Sequence, residues 1–352
     1  MAKTTDTGGL PLLKRHLKSG DFARLYLFYG EERYLLEHYL GMLRKKLLDG
    51  PAADFNFHRF PQGAADLQAL TDAVEAVPMM ADATLVEVDD LDFSKLSEGG
   101  RETLTALLSD IPDYCTVVFT FDTVPYKVDG RYKKFKAALE RGVAVEFARQ
   151  SQRDLTAWIR KHALAAGKDI SDQAAEYLTF RTGGAMTTLE SELQKLTAYV
   201  QGREITRADI DAVVIPVLDA QVFEITDALS AGDYAAALEK LRQLLAMQTE
   251  PILILAAIGS QMRRLLYARA CLAAGKGEEA LGELLKAATG RAPHPYVLRK
   301  TVSAARRLSD AFCRGAVRRC METDWQLKRS AADPGRALEL LVLSLREEAG
   351  RG

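Results

Sequence analysis

Two adjacent acidic residues stand where a metal ion could be held at the end of a strand. Asp89 and Asp90 follow the largely apolar run "TLVEV" at residues 84–88, a position from which nucleotide-hydrolysing enzymes present carboxylates to magnesium. That chemistry also needs a phosphate-binding loop, since the metal bridges the phosphates that the loop holds. Without such a loop, a solvated strand end is the more ordinary interpretation of the pair.

The candidate for that loop is the glycine after the first apolar run. The run at residues 25–29 ends at Gly30, and a helical pattern begins directly afterwards. A working phosphate loop needs a second glycine, a lysine for the phosphates and a Ser or Thr for magnesium, whereas here Glu31 and Glu32 follow. Their carboxylates suit the positive end of a helix dipole but repel phosphate. We therefore expect no nucleotide cofactor at Gly30.

Other catalytic or metal-binding patterns are missing from the sequence. The five histidines never approach a metal-ligand spacing, no serine lies in a nucleophile elbow, and the four cysteines are widely scattered. Cys313 and Cys320 are the nearest pair, at a spacing that matches no zinc motif. We expect buried, reduced thiols, no metal site and no catalytic residues.

Composition indicates a globular protein with an uneven charge distribution. The chain has 352 residues, 48% of them hydrophobic and 27% charged, and a net charge of −1. No segment approaches the roughly 18 uninterrupted apolar residues of a membrane span, and the N-terminus lacks a signal-peptide core, so we expect a cytoplasmic protein without membrane contact. Residues 259–329 hold 15 Lys/Arg against 6 Asp/Glu. This excess of positive charge suggests a polyanion nearby, although arginines that only solvate helix faces explain it equally well.

The periodicity divides the chain into three zones. Up to about residue 147, the apolar runs "LYLFY", "TLVEV", "CTVVFTF" and "VAVEF" alternate with helical patterns at 32–48, 66–77, 101–109 and 131–141, which predicts a parallel α/β sheet covered on both faces. Residues 148–214 lose the strands and predict a bundle of short helices, opened by Ser151 and Asp154 in a pattern like a capping box. From about residue 215 to the end, the pattern is helical throughout. The fold class is thus α/β plus all-α.

A short segment before "TLVEV" is the most informative in the first zone. Pro78 disfavours helical geometry in the residue before it, so a helix from about Asp66 should end near Val77. Met79 and Met80 then fall on the connection to the next strand. Two consecutive side chains cannot easily face one core, and exposed methionines adapt to an apolar pocket on a partner. Closure over the core remains the alternative.

The order and spacing of several segments resemble one protein family over nearly the whole chain. The segments "YGEERYLL", "PMMADATLVEV", "LESELQKLTAYV" and "DWQLKRSAADPGRALELLVLSL" are similar to those of the delta subunit of the bacterial DNA polymerase III clamp loader. The resemblance implies an AAA+-like (RecA-like) parallel α/β domain at 1–147, a small helical lid domain at 148–214 and a C-terminal helical collar domain at 215–352. Gly30 would be the non-functional remnant of a phosphate loop.

The same resemblance implies a function and its partners. The chain would be a non-hydrolysing subunit that helps to open the ring-shaped sliding clamp (the beta subunit) and load it onto primed DNA. Pro78, Met79 and Met80 match the family's hydrophobic wedge for the clamp, with Met-Met where other members carry Leu and Phe. The delta-prime and gamma/tau subunits would be neighbours in the DNA polymerase III holoenzyme, whose polymerase activity this chain would not itself catalyse. Lys328 and Arg329, expected in the turn before Pro334, are candidate DNA phosphate contacts because of the local positive charge.

Two other functions remain as alternatives. If the chain were a divergent P-loop enzyme, the isolated protein would bind ATP tightly in the presence of magnesium. A helical adaptor outside replication would capture neither a sliding clamp nor clamp-loader ATPases.

Overall fold

The structure is a computed structural model, and it describes residues 8–62, 66–290, 292–329 and 333–349. The chain divides into two compact units, Met1–Gln150 and Ser151–Gly352. Each is described by itself below.

The first unit is a parallel sheet with helices on both faces. Its strands are β1 (Leu25–Tyr29), β2 (Phe57–Phe60), β3 (Thr84–Asp89), β4 (Cys115–Phe121) and β5 (Val143–Glu146). Its helices are α1 (Gly9–Ser19), α2 (Arg33–Leu47), α3 (Leu67–Glu75), α4 (Glu98–Ser109) and α5 (Lys133–Leu139), with a short 3-10 helix at Ala53–Asn56. The five strands pair in parallel in the order β2-β3-β4-β1-β5. This confirms the predicted parallel α/β fold of the first unit.

Burial on both faces explains the apolar strands. All seven residues of β4 are buried, and alternate residues of β1 enter opposite cores: Leu25 and Leu27 on one face, Tyr26 and Phe28 on the other. The period of two along a strand sends successive side chains to opposite faces. A helix layer on each face therefore requires a strand without polar alternation.

Three elements of the first unit were not predicted: β2, α1 and the short 3-10 helix Ala53–Asn56. Strand β2 is an edge strand of only four residues whose side chains are at most partly buried, so "FHRF" carries neither an apolar run nor clean alternation. Helix α1 packs against β5. Gly8 lies at its N-cap and has no side chain that could accept a capping hydrogen bond.

A buried ion pair connects helix α2 to the middle of the sheet. Glu87 on β3 is fully buried, and its carboxylate accepts hydrogen bonds from Arg44 on α2, with Arg44 Nε 2.6 Å from Glu87 Oε1. The largest effect on this carboxyl is burial, which raises the pKa of Glu87 in spite of the opposing hydrogen bond from Arg44. The single acidic residue inside "TLVEV" is thus a structural partner of α2.

In its described residues, the second unit consists of helices and their connections, apart from one very short strand pair. Its elements are α6 (Gln152–Ala165), β6 (Asp169–Ile170), α7 (Asp172–Thr182), α8 (Met186–Tyr199), β7 (Glu204–Ile205), α9 (Arg207–Val213), α10 (Leu218–Ser230), α11 (Tyr234–Ala246), α12 (Pro251–Ala273), α13 (Glu278–Thr289), α14 (Pro295–Arg307), α15 (Asp310–Arg329) and α16 (Pro334–Ala349). Strands β6 and β7 pair in parallel over two residues each, whereas the sequence pattern predicted no strand in this zone. Two residues are too few to produce a periodic signal.

Local capping agrees with the sequence at the start of this unit. The Ser151 hydroxyl accepts from the backbone N–H of Asp154 at the N-terminus of α6. Thr206 and Asp209 form a reciprocal capping box at α9. Each cap satisfies donors that the first turn of a helix leaves free.

Helices α10 to α16 of this unit pack around a large apolar core, and a polar junction connects α7 to α10. The core draws on α10 to α16 and includes Leu241, Ile258 and Leu345. At the junction, Arg181 of α7 lies 2.5 Å from Glu224 of α10. Helix α7 is therefore tied to α10 within the unit. The three-part division at residues 147 and 214 stays a prediction.

Three remaining features concern the cysteines, metal binding and membrane spans. Cys115, Cys271, Cys313 and Cys320 are all buried free thiols. No group of three or more His, Cys, Asp or Glu side chains that could hold a metal ion occurs in the described ranges. Within the same residues, every helix is too short or too polar to cross a membrane.

Candidate functional site

The connection between α3 and β3, residues 76–83, carries the methionine pair; we call it the methionine loop. Helix α3 ends at Glu75, two residues earlier than predicted, because Ala76 already has extended dihedral angles. The side chain of Met79 is 55% exposed and that of Met80 is 88% exposed. Neither methionine therefore closes over the core of this unit, while Pro78 is half-buried beside them.

The backbone of the methionine loop is fixed by a buried side chain from another segment. Asn56 is only 2% exposed. Its Oδ1 accepts from the Met79 N–H at 2.7 Å, and its Nδ2 donates to the carbonyl oxygens of Met79 and Ala52, both at 2.9 Å. Met80 then adopts a left-handed conformation with φ 51°, which is uncommon for a residue with a long side chain. The loop is thus a fixed turn that presents both methionines to solvent.

Nothing in the sequence pointed to Asn56 as part of this site. It lies 23 residues before Met79, in a segment without periodicity. An isolated asparagine most often serves a turn, and only the fold shows that its amide meets the backbone of the methionine loop.

The segment after β1 closes tightly against the end of β5. Gly30 has φ 130°, and a Cβ at this position would lie 2.4 Å from the carbonyl oxygen of Phe147. The Glu32 N–H donates to that same oxygen at 2.9 Å. Glycine is needed here so that β1 can turn against Phe147, and the glycine therefore has a structural reason to be present without any nucleotide.

Glu32 stands at the N-terminus of α2, where a phosphate would sit in a working loop. Its side chain is buried, and burial raises its pKa against the opposing effects of the Tyr34 backbone N–H and Arg149. Anionic phosphate would meet this carboxylate at the helix end. The local charge therefore opposes nucleotide binding.

Asp89 and Asp90 both have structural partners, which corrects their interpretation as a merely solvated strand end. Asp89 accepts from Arg59 at 2.8 Å and from the Thr120 hydroxyl at 2.8 Å. Asp90 accepts from the backbone N–H groups of residues 122, 123 and 124 at 2.8–3.1 Å and from the Thr123 hydroxyl. Although burial opposes them, these hydrogen bonds hold the pKa of Asp90 below its usual range. Asp90 thus fixes the loop after β4, whereas Asp89 connects β3 to Arg59 on β2 and to Thr120 on β4.

Lys328 and Arg329 are the last two residues of α15, not part of a turn as predicted. Lys328 Nζ lies 2.6 Å from Asp324 Oδ2, one helical turn back, and the Arg329 guanidinium carbon lies 4.9 Å from the centre of the Trp325 ring. Both side chains remain exposed. Their roles toward DNA stay a prediction.

Several other cations in residues 259–329 are paired as well. Arg299 contacts Glu176 at 2.6 Å, Arg314 contacts Asp310 at 2.7 Å, and Arg319 contacts Glu348 at 3.0 Å. The excess of positive charge is thus partly neutralised by carboxylates from inside and outside the segment.

Two family models match the chain. One, described as "DNA polymerase III, delta subunit", matches residues 26–148. The other, described as "DNA polymerase III delta subunit, C-terminal domain", matches residues 219–345. The first match includes Gly30 and the methionine loop, and the second includes Lys328 and Arg329.

Individual relatives agree with the two models. The DNA polymerase III subunit delta of Bacillus subtilis is 28% identical over 337 residues, 94% of this chain and 95% of its own length. A probable DNA polymerase III subunit delta of Aquifex aeolicus is 23% identical over 69% of each chain. A solved structure of the Bacillus subtilis DNA clamp loader delta protein superposes with a TM-score of 0.57 at 24% sequence identity, covering 96% of this chain and 99% of that one. That superposition supports the fold.

Proposed function

Because the chain belongs to the DNA polymerase III delta subunit family, we propose that it is a clamp-loader subunit that binds the sliding clamp and helps to open the ring for loading onto primed DNA. It does so without hydrolysing ATP. The methionine loop is the clamp-binding element, and Met79 and Met80 are the side chains that enter the apolar pocket of the clamp. The protein works in the cytoplasm together with the delta-prime and gamma/tau subunits.

The exposure of two consecutive methionines on a fixed loop is the observation that carries the proposal. Single exposed apolar side chains are common, but adjacent ones form a patch of the kind that marks a contact with a partner, and Met80 is 88% exposed. Asn56 holds the Met79 backbone from both its N–H and its carbonyl group. A loop that is already ordered loses less conformational entropy on binding, which favours affinity.

The segment around Gly30 supports a subunit that uses its AAA+-like domain as a scaffold. The chain lacks a lysine and a Ser or Thr at the phosphate loop, and Glu32 places a buried carboxylate at the start of α2. ATP hydrolysis is therefore assigned to sister subunits. Tight, magnesium-dependent ATP binding by the isolated chain would instead favour the divergent P-loop enzyme.

The second unit supplies the contacts with sister subunits in this proposal. On α15, Met321 and Trp325 lie one turn apart and are both exposed. An exposed methionine and tryptophan at this spacing form an apolar stripe of the kind that anchors protein interfaces. A helical adaptor outside replication would have this stripe too, but it would fail to capture a sliding clamp.

The test is a double substitution of the methionine pair. We expect Met79→Ala/Met80→Ala to lower clamp affinity by roughly two to four orders of magnitude, since about 3–6 kcal/mol of hot-spot contact is lost at 1.4 kcal/mol per tenfold. Thermal unfolding should change little, because exposed side chains add little to stability, whereas a core methionine costs about 2–5 kcal/mol when truncated. The measurement is a titration of the clamp from the same organism.

Met42→Ala is the matched control. Met42 is an exposed methionine on α2 of the same unit, and its loss should leave both clamp affinity and unfolding unchanged. A double variant that unfolds much earlier than the wild type and still binds the clamp normally at low temperature would refute the proposal.

A further inference from the structure

Phe55 is an aromatic side chain with no structural reason for its exposure. It lies in the 3-10 helix Ala53–Asn56, and its side chain is 66% exposed. A phenylalanine side chain gains about 1.5–3 kcal/mol from full burial. Its neighbour Asn56 is buried, so the turn that carries Phe55 is ordered.

The strongly exposed apolar side chains of the first unit are not scattered. Six large apolar or aromatic side chains are exposed among its described residues, and two of them, Met42 and Tyr132, are less than 40% exposed. The other four are Phe55, Val77, Met79 and Met80, each more than half exposed. All four belong to two short segments, the 3-10 helix and the methionine loop.

These two segments are joined directly through Asn56. The Asn56 side chain makes two hydrogen bonds with the Met79 backbone and one with the Ala52 carbonyl oxygen at the base of the 3-10 helix. Asn56 is shielded from water, so water does not compete strongly for these bonds. Phe55 is adjacent to Asn56 in the chain. The residue next to Phe55 thus holds the Met79 backbone directly, with hydrogen bonds of 2.7 Å and 2.9 Å.

We infer that Phe55 is a third apolar contact of the clamp-binding surface, together with Met79 and Met80. This inference rests on the proposed function. The rigid ring of Phe55 occupies an apolar area of the clamp next to the pocket that takes the flexible methionines. Exposed acids, Asp54 on one segment and Asp82 on the other, lie where the polar rim of such an interface is expected.

The experiment compares four variants by clamp titration and thermal unfolding of the full chain. Phe55→Ala should weaken clamp binding roughly ten- to hundredfold, in line with the loss of one buried aromatic contact at 1.4 kcal/mol per tenfold. Phe55→Leu keeps an apolar contact and should stay within about threefold of the wild type. Met42→Ala should bind normally, and Met79→Ala/Met80→Ala tests the surface itself.

The outcomes separate the inference from the proposed function. Weak binding by both Phe55→Ala and the double methionine variant, with normal binding by Met42→Ala and unchanged unfolding throughout, supports the inference. Normal binding by Phe55→Ala beside weak binding by the methionine variant overturns the inference and leaves the proposed function standing. Normal binding by the methionine variant overturns the proposed function, and the inference with it. An equal loss of clamp affinity in Met42→Ala would show that truncating any exposed apolar side chain of this unit weakens binding, and it would also overturn the inference.

Discussion

At Glu32, the helix dipole and the burial of the side chain act in opposite directions. The N-terminus of α2 favours a negative charge, yet burial raises the pKa of this carboxyl above its ordinary value of 4.5, opposed by the Tyr34 N–H and Arg149. The folded state therefore binds a proton more readily than the unfolded chain does. At pH values above the pKa of Glu32 in the folded state, the ionised carboxylate therefore lowers the free energy of unfolding. This destabilisation disappears as the pH falls below that pKa and the carboxyl becomes protonated.

We expect Glu32→Gln to stabilise the protein at neutral pH. Glutamine keeps an acceptor for the helix N-terminus and removes the charge, so the free energy of unfolding should rise by about 1 kcal/mol at pH 7. The gain should shrink as the pH falls into the acid range, where glutamate is also neutral. Denaturant unfolding across this pH range measures it. Glu31 is an exposed carboxylate next to Glu32, and the control variant Glu31→Gln should change the free energy of unfolding by less than about 0.5 kcal/mol. A gain in stability for Glu32→Gln that does not vary with pH would contradict the explanation.

At the scale of elements, the Arg44–Glu87 pair connects α2 to β3 through a fully buried carboxylate. We expect Arg44→Met to destabilise the protein by about 3–5 kcal/mol, because Glu87 is left as an uncompensated buried charge. Burial already raises the pKa of Glu87, and loss of Arg44 would raise it further. The deficit should therefore be largest at neutral pH and smaller in acid, where Glu87 becomes protonated.

Two further variants separate this charge effect from a general loss of packing. Arg44→Met/Glu87→Gln removes the charge with its partner and should recover a large part of the stability in denaturant titrations. Arg59→Met breaks the neighbouring but exposed pair with Asp89, in which Arg59 is 54% exposed, and should cost less than about 1 kcal/mol. Equal losses of stability for Arg44→Met and Arg59→Met would mean that the burial of Glu87 does not determine the cost of removing its partner.

The elements that the sequence predicted are those whose signal is local. The run Cys115–Phe121 is buried along its full length, and its composition alone indicates a central strand. Strand β2 was missed because its identity comes from pairing with β3 at the edge of the sheet, and β6 and β7 are too short to form a pattern. Periodicity reports the burial of an element, and it cannot report pairing that tertiary contacts impose.

The same limit applies to the candidate site. Pro78 and two consecutive methionines are a local pattern, which placed the pair on a connection and left exposure and closure over the core as alternatives. Asn56, by contrast, acts on a loop 23 residues later, and Asp90 acts on the backbone N–H of a residue 32 positions away. Neither side chain differs in sequence from an ordinary polar surface residue, because the sheet alone brings its partners close. Long-range hydrogen bonds of this kind cannot be read from spacing.

At the scale of the whole molecule, the exposed methionine pair and the excess of positive charge lie in different units of the chain. The exposed methionine loop belongs to the first unit, whereas residues 259–329 of the second unit hold 15 Lys/Arg against 6 Asp/Glu. Part of that charge is taken up by pairs such as Arg319–Glu348. If the chain contacts DNA, as the proposed function expects, the contact must come from cations that remain exposed, and Lys328 and Arg329 at the end of α15 are the two that the sequence suggested.

Lys328 and Arg329 provide the test of that suggestion. If both contact phosphates in the assembled loader, Lys328→Ala/Arg329→Ala should reduce the slope of log K against log salt for primed DNA by about 2, or about 1 for each contact. The reconstituted loader is titrated with DNA at several salt concentrations. Arg314→Ala is the matched control, because Arg314 pairs with Asp310 four residues away at the other end of the same helix, as Lys328 does with Asp324, and it should leave the slope unchanged. If the double variant also leaves the slope unchanged, the two residues serve α15 through Asp324 and Trp325 and do not contact DNA.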